Sequence, residues 1–157
     1  MLPYSHFLFA FLIGLIFAKL GVFSWKFALF CGIIAVLVDL DHYIEHILHA
    51  KKDKFSIRAT WNNSIKLHKF NQRSFIHYFK GAIFLTVLFA AIYLINAKIA
   101  LVLAIGYYSH LLLDLPYFHK QKILRLKLGK WYFNEKYPEV IFDIVILIII
   151  FFLKLFS

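Results

Sequence analysis

The sequence predicts an all-α fold, a polytopic transmembrane helical bundle of about five spans, and two observations lead to this. Of its 157 residues, 62% are hydrophobic and only 17% are charged, with a mean hydropathy of +0.76. Soluble domains are nearer half apolar and a quarter charged. The apolar residues also fall in long blocks separated by polar segments, as in helices that cross a bilayer. The expected organisation is one membrane-embedded domain over residues 1–157.

Five apolar blocks approach the length of about 17–25 residues that a helix needs to cross the hydrocarbon core. They run from Leu2 to Leu20, from Trp25 to Leu40 with a helical extension towards His49, from Phe79 to Ile95, from Lys98 to Leu115, and from Pro138 to Phe156. A tight turn around Gly21 to Ser24 joins the first two spans, and Asn96-Ala97 joins the third and fourth. Such short connections predict antiparallel helical hairpins.

The distribution of basic residues predicts the orientation of the bundle. Of the 18 lysine and arginine residues, 14 fall in two polar segments that lie on one side if the spans alternate. They are Lys51, Lys52, Lys54, Arg58, Lys66, Lys69, Arg73 and Lys80 in the first segment, and Lys120, Lys122, Arg125, Lys127, Lys130 and Lys136 in the second. The positive-inside rule then places both segments and the N-terminus in the cytoplasm. The net charge of +10 predicts contact with anionic lipid headgroups.

Ionisable residues gather at the cytoplasmic ends of the spans. This topology brings together two single histidines, His6 and His77, and two short motifs. The motifs are Asp-Leu-Asp-His, with Asp39, Asp41 and His42, and His-Leu-Leu-Leu-Asp, with His110 and Asp114. Ionisable groups at membrane depth pair with one another, bind an ion or line a wet cavity. The sequence therefore predicts a metal site at the cytoplasmic membrane face.

The residue types and spacings indicate the metal and the chemistry. His110 and Asp114, four apart, share one helix face. Imidazole and carboxylate without thiolate fit zinc best, with manganese and iron(II) as alternatives, and two ions could clamp a phosphoryl oxygen. The predicted ligands are His6, Asp39, Asp41, His77, His110 and Asp114. The predicted catalytic residues are Asp41, His42 and Arg73, the last of which would neutralise substrate charge.

Each residue taken alone also has a structural interpretation. A single histidine at a helix end is commonly an interfacial or capping residue, and His110 with Asp114 could form an ordinary intrahelical hydrogen bond. His46 and His49 are expected at the surface of the extension after His42. The lone Cys31 lies in an apolar run and is expected to be a packing residue, since no Cys-based zinc motif exists.

These motifs resemble those of the inner-membrane-associated metal-dependent hydrolases, the LexA-binding, YdjM-like family. Val-Asp-Leu-Asp-His at 38–42 is similar to the family's Pro-Asp-x-Asp-His, and His6 to its N-terminal histidine. Residues 72–78, Gln-Arg-Ser-Phe-Ile-His-Tyr, resemble His-Arg-Gly-x-Thr-His-Ser, and residues 106–114 resemble Gly-x-x-x-His-x-x-x-Asp. Gln72 replaces a histidine of the family pattern, although His68 lies upstream and could compensate. The resemblance implies a metal-dependent hydrolase.

The expected function is hydrolysis of a phosphoester or lipid-headgroup substrate at the cytoplasmic interface of the membrane. The alternative is a non-catalytic membrane protein, a scaffold or a metal carrier, with a degenerate metal site. Carriers place ionisable groups near the bilayer midplane, whereas these lie at span ends. Binding of nucleic acid or of a repressor is a third option. It is disfavoured because the basic residues already follow the topology rule.

Overall fold

The computed structural model describes residues 2–62, 75–114, 123–128 and 131–155. Its helices are α1 (Pro3–Lys19), α2 (Trp25–Leu37), α3 (Leu40–His49), α4 (Ile57–Asn62), α5 (Phe79–Ile95), α6 (Ala97–Leu113) and α7 (Tyr137–Leu155), with a 3₁₀ turn at Phe75–His77. The predicted helical class is confirmed. Two antiparallel strands are added to it, β1 (Ile123–Leu128) and β2 (Trp131–Lys136), paired from Ile123↔Lys136 to Leu128↔Trp131. They lie in a segment that the sequence analysis treated as a polar connection.

Helices α1 and α2 form the predicted hairpin, and small residues allow their backbones to approach closely. Gly21 (φ +77°) turns the chain between them. A Cβ added to Gly14 would lie 2.7 Å from Ala28 Cα, and one added to Gly32 would lie 2.7 Å from the ring of Phe7. Glycine and alanine at such contacts are typical of helix packing within membranes.

Helix α6 packs on α2 through a further glycine. A Cβ on Gly106 would lie 2.6 Å from Ile34 Cβ and 2.9 Å from the carbonyl oxygen of Cys31. The buried core that results comprises Ala10, Phe23, Cys31, Ala35 and Val102. Because this core holds α1, α2 and α6 together, it also fixes the relative positions of the residues at their ends.

Helices α5 and α6 form the second predicted hairpin. Asn96 Oδ1 caps α6 by accepting hydrogen bonds from the backbone N–H groups of Lys98 (3.1 Å) and Ile99 (3.2 Å). At the other end of α5, a Cβ on Gly81 would lie 2.0 Å from the carbonyl oxygen of Phe75. Only glycine at this position lets the 3₁₀ turn that carries His77 fold back onto α5.

The second predicted span is divided by a bend. Helix α2 ends at Leu37, and α3 begins at Leu40 after a turn at Val38 and Asp39. The turn places the backbone of Asp39 at the junction of two helices. Only when α2 and α3 are taken together across this bend, as Trp25–His49, is a described helical stretch long and apolar enough, by length and composition, to cross a membrane. Helices α1, α5 and α6 are apolar but shorter, at 17 residues each.

Candidate metal centre

Four chain segments meet at one end of the helical bundle. His6 lies in the first turn of α1, Asp39 lies between α2 and α3, and His77 lies in the 3₁₀ turn before α5. His110 lies in the last turn of α6, and Asp114 follows that helix. Their ligand atoms form two overlapping groups of three, His6–Asp39–His110 and His77–His110–Asp114, with all atoms of a group within 4.8 Å of one another. The convergence that the topology predicted is present.

The ring orientation of His110 is fixed by the helical core. Its side chain is fully buried, and Nδ1 lies 2.8 Å from the carbonyl oxygen of Ala35 on α2. A carbonyl oxygen only accepts hydrogen bonds, so Nδ1 carries the proton and donates it. In the neutral imidazole, Nε2 then presents a lone pair to the cluster. This is the tautomer that binds a metal ion through Nε2.

A carboxylate lies beside His77 at ion-pair distance, where His110 has a carbonyl oxygen. Asp41 Oδ2 lies 2.8 Å from His77 Nδ1, and both side chains are buried. The negative charge favours a proton on that nitrogen, leaving the lone pair on Nε2. His77 Nε2 lies 3.1 Å from His110 Nε2. Two lone pairs at this distance repel each other unless a cation, either a proton or a metal ion, lies between the nitrogens.

Carboxylates surround the two facing nitrogens. Asp114 Oδ2 lies 3.5 Å from His110 Nε2 and 3.7 Å from His77 Nε2. Asp39 Oδ1 lies 3.7 Å from His110 Nε2. Ligand atoms bound to a tetrahedral zinc ion at about 2.0–2.2 Å lie about 3.3–3.6 Å from one another. The spacing of Asp114 Oδ2 and the two Nε2 atoms therefore fits three donors arranged around a common ion, whereas Asp39 groups with His110 and His6.

His6 completes the buried part of the cluster. Its side chain is 1% exposed, and its ring stacks on that of His110 with centroids 3.9 Å apart. Nε2 lies 3.5 Å from Asp114 Oδ1, and neither ring nitrogen makes a hydrogen bond within the described part of the chain. Buried polar atoms without partners are costly. Coordination of an ion through Nε2 would remove this cost for one of the nitrogens.

The described residues fit one ion better than two. Both groups of three contain His110, whose Nδ1 is already engaged with Ala35. The remaining nitrogen has a single lone pair, which binds a single ion. A second ion would depend on donors other than His110.

The other predicted residues lie around this cluster. Asp41, predicted as a ligand and a catalytic residue, lies on the Nδ1 side of His77. His42 lies at the rim, with its side chain 35% exposed and Nε2 3.8 Å from Asp39 Oδ1. Asp39 and Asp114 are partly exposed, so the cluster is accessible on this side. Arg73, like Gln72 and His68, lies outside the described residues.

Four residues near the site were missed or misplaced by the sequence analysis. His46 was expected at the surface but is 1% exposed, and its Nε2 lies 3.2 Å from the backbone oxygen of Asp53. Ser5 is buried beside His6 and donates a hydrogen bond to Asp143 Oδ2 on α7 (2.8 Å). Asp143 and Glu139 are both buried on α7. Their spacing of four within an apolar block was the available signal, because it places two carboxylates on one helix face.

The chain is thus a largely helical, strongly apolar protein with a buried histidine–aspartate cluster suited to a divalent ion. Residues 1–125 match the YdjM inner membrane protein family. The chain belongs to this family, as its motifs indicated, and is accordingly an inner membrane protein. A search of curated proteins and one of solved structures gave no match. Helix α7, with Glu139 and Asp143, lies beyond the matched residues.

Proposed function

We propose that this chain is a multi-pass membrane enzyme, a metal-dependent hydrolase that acts on a phosphoester or lipid-headgroup substrate at the cytoplasmic face. The observation that carries the proposal is the 3.1 Å contact between Nε2 of His77 and Nε2 of His110. In both rings the opposite nitrogen faces an acceptor, the Ala35 carbonyl or the Asp41 carboxylate. Such pairing of the outer nitrogen is a regular feature of metal-binding histidines.

The exposed surface supports membrane insertion of more than one helix. Large apolar side chains are exposed on α5, where Phe79 is 80% and Leu94 87% exposed, and on α7, where Ile141 and Phe151 are each 62% exposed. A soluble protein rarely leaves such extensive apolar faces in water. The 17-residue helices are about 26 Å long, which a slightly thinned bilayer accommodates. Five spans, with the N-terminus in the cytoplasm, follow from these helices and from the distribution of basic residues.

The proposed ion, with zinc as the first choice and manganese or iron(II) as alternatives, would be held by His77, His110 and Asp114. His6 and Asp39, which form the other group of three with His110, are the candidates for a further ligand. Asp41 acts as a positioning residue, because its carboxylate holds the His77 ring with Nε2 towards the other ligands. This assignment agrees with the buried ring of His6, whose Nε2 faces Asp114 at 3.5 Å, and with the absence of any thiolate near the cluster among the described residues.

Such an ion supplies a Lewis acid that polarises a phosphoryl or carbonyl oxygen and acidifies water. The chain's own residues do the rest. Among the described histidines of the cluster, His42 has the most exposed side chain, and beside Asp39 it can transfer a proton to or from a substrate. Arg73 would neutralise the charge of a phosphate group. Asp39 keeps the His42 ring at the rim of the cluster.

A metal carrier is the competing function, and the positions of the buried ionisable residues argue against it. His6 and Ser5 lie in the first turn of α1, and His110 lies in the last turn of α6. Asp143 contacts Ser5, which puts it at the same level of the bundle. These groups therefore lie near the membrane surface, whereas carriers bind their substrates near the midplane.

The test uses purified protein in nanodiscs that contain anionic phospholipid. Metal-free protein is reloaded with zinc, manganese or iron(II), and release of phosphate or headgroup is measured for the parent, for His110→Ala and for His49→Ala. His49 is an exposed histidine outside the cluster and serves as the matched control. We expect metal-dependent hydrolysis that His110→Ala abolishes and His49→Ala retains. Metal flux into proteoliposomes that Asp39→Asn abolishes, without hydrolysis, would establish the carrier instead.

A further inference from the structure

Helix α3 carries an exposed apolar stripe. Leu40, Ile44 and Leu48 are 51%, 56% and 65% exposed. Their spacing of four places them on one side of the helix, while His46 on the opposite face is buried. The stripe continues from the exposed apolar face of α2, which also bears large side chains. No described protein segment covers it.

The position of α3 makes this stripe unusual. The metal cluster lies at the ends of α1 and α6, but α3 starts at that level and continues for ten residues, about 15 Å. Within the described ranges, α4 is the only element with which α3 makes extended contact. Helix α3 therefore extends beyond the bundle with an apolar face that would be exposed to water if the helix pointed straight into the cytoplasm.

Basic side chains follow the stripe directly. Lys51, Lys52 and Lys54 are all exposed, and Arg58 on α4 is exposed as well. Two large apolar side chains stand among them, Phe55 at 74% and Ile57 at 68% exposure, and Asp53 is the single acidic residue between positions 50 and 62. An apolar face bordered by lysine and arginine is the pattern of helices that lie in the interface of anionic membranes.

We propose that α3 and residues 50–58 form an anionic-lipid-binding surface that lies in the headgroup layer of the inner leaflet. The apolar stripe would contact acyl chains, and Lys51, Lys52 and Lys54 would bind phosphate groups of the lipids. Charge complementarity and continuity with the lipid-facing side of α2 favour this occupant over a second copy of the chain. The inference goes beyond the proposed hydrolase, since neither metal binding nor catalysis is needed for it.

This surface would also set the depth of the metal cluster. Asp39 immediately precedes α3, and His42 lies in its first turn. If α3 lies in the headgroup layer, the partly exposed side of the cluster opens at the level of the lipid phosphates.

The depth of α3 is tested with site-directed spin labels in nanodiscs of phosphatidylglycerol and phosphatidylcholine. Cys31, the only cysteine, is buried and is first replaced by alanine. Labels are then attached in Leu48→Cys and His49→Cys, two exposed neighbours on different faces of α3. We expect the label at 48 to be accessible to oxygen and protected from an aqueous nickel chelate, and the label at 49 to be open to the chelate. Equal access of the chelate to both labels, or spin–spin broadening that places two copies of residue 48 in contact, would overturn the proposal.

The charge component is tested with two matched triple variants. The first variant replaces Lys51, Lys52 and Lys54 by glutamine. The second replaces three exposed lysines at the opposite helix ends by glutamine, namely Lys19, Lys26 and Lys98. Each basic residue near an anionic surface contributes about a fivefold factor in affinity at low salt. We expect the ratio of phosphatidylglycerol to phosphatidylcholine that stays bound to the protein to fall at least about tenfold in the first variant alone. The metal content of that variant should be unchanged. Equal losses in both variants, or no loss in the first, would refute the lipid-binding surface.

Discussion

Asp114 is the carboxylate whose replacement tests the cluster most sharply, because it contacts three histidines. Its oxygens lie 3.5 Å from Nε2 of His6, 3.7 Å from Nε2 of His77 and 3.5 Å from Nε2 of His110. The substitution Asp114→Asn keeps the volume of the side chain and removes its negative charge. We expect this substitution to weaken zinc binding more than the substitution of any residue at the edge of the cluster does.

The magnitude follows from the number of ligands. Structural zinc sites with four ligands bind with about 10–16 kcal/mol, or about 2.5–4 kcal/mol for each ligand. At 1.4 kcal/mol for each factor of ten, loss of one ligand lowers the affinity by about two to three orders of magnitude. Asp41→Asn, which changes only the group behind His77, should cost about 10- to 100-fold. The structure therefore predicts an order of effects, with Asp114 above Asp41.

The assay is competition for zinc between the purified protein and a fluorescent chelator of known affinity. Asp53→Asn is the matched control, because Asp53 is an exposed carboxylate outside the cluster. Its backbone is in the left-handed region (φ 53°), which asparagine tolerates well. Zinc affinity of the Asp114 variant equal to that of the parent would refute the ligand assignment. So would an equal loss in the Asp53 variant.

Three further substitutions test the packing that supports the site. Gly106→Ala should destabilise the protein by about 1–3 kcal/mol, since the new methyl group would lie 2.6 Å from Ile34. Ser5→Ala removes a hydrogen bond to the buried Asp143 and should cost about 1–3 kcal/mol. Asn96→Ala removes the cap of α6 and should cost about 1 kcal/mol. Each change in the free energy of unfolding is measured by denaturant titration in detergent micelles.

Each of these predictions has a clear contrary result. Unchanged stability of the Gly106 variant would mean that α2 and α6 pack less closely than described. An unaffected Ser5 variant would show that α7 does not depend on this hydrogen bond. An exposed helix cap is expected to contribute less stability than a buried hydrogen bond. A much larger loss of unfolding free energy in the Asn96 variant than in the Ser5 variant would contradict this.

The sequence predicted the convergence of the site but not its detailed geometry. Alternation of apolar spans and two short hairpin turns were sufficient to place His6, His77 and His110 at one end, because topology alone determines which helix ends are neighbours. The roles of individual ring nitrogens were beyond sequence reasoning. They depend on the Ala35 carbonyl and on the Asp41 carboxylate, whose positions arise from the packing of α2 against α6 and from the bend at Asp39.

Several local features escaped prediction for physical reasons. The bend between α2 and α3 has no proline or glycine to mark it, and polar residues such as Asp39 and Asp41 are also compatible with a continuous helix that leaves the membrane. Strands β1 and β2 are short and rich in charge, so their composition resembled a polar loop. The burial of His46 depends on the turn at Asp53, a tertiary contact that periodicity does not encode.

The most direct test of the central claim is a crystal of protein purified without chelators, measured at the zinc, iron and manganese absorption edges, together with elemental analysis of the same sample. We expect about one ion per chain, with anomalous density between Nε2 of His77 and Nε2 of His110 and beside Asp114. Protein that holds no stoichiometric metal even after reloading, with the two imidazoles sharing only a proton, would contradict it.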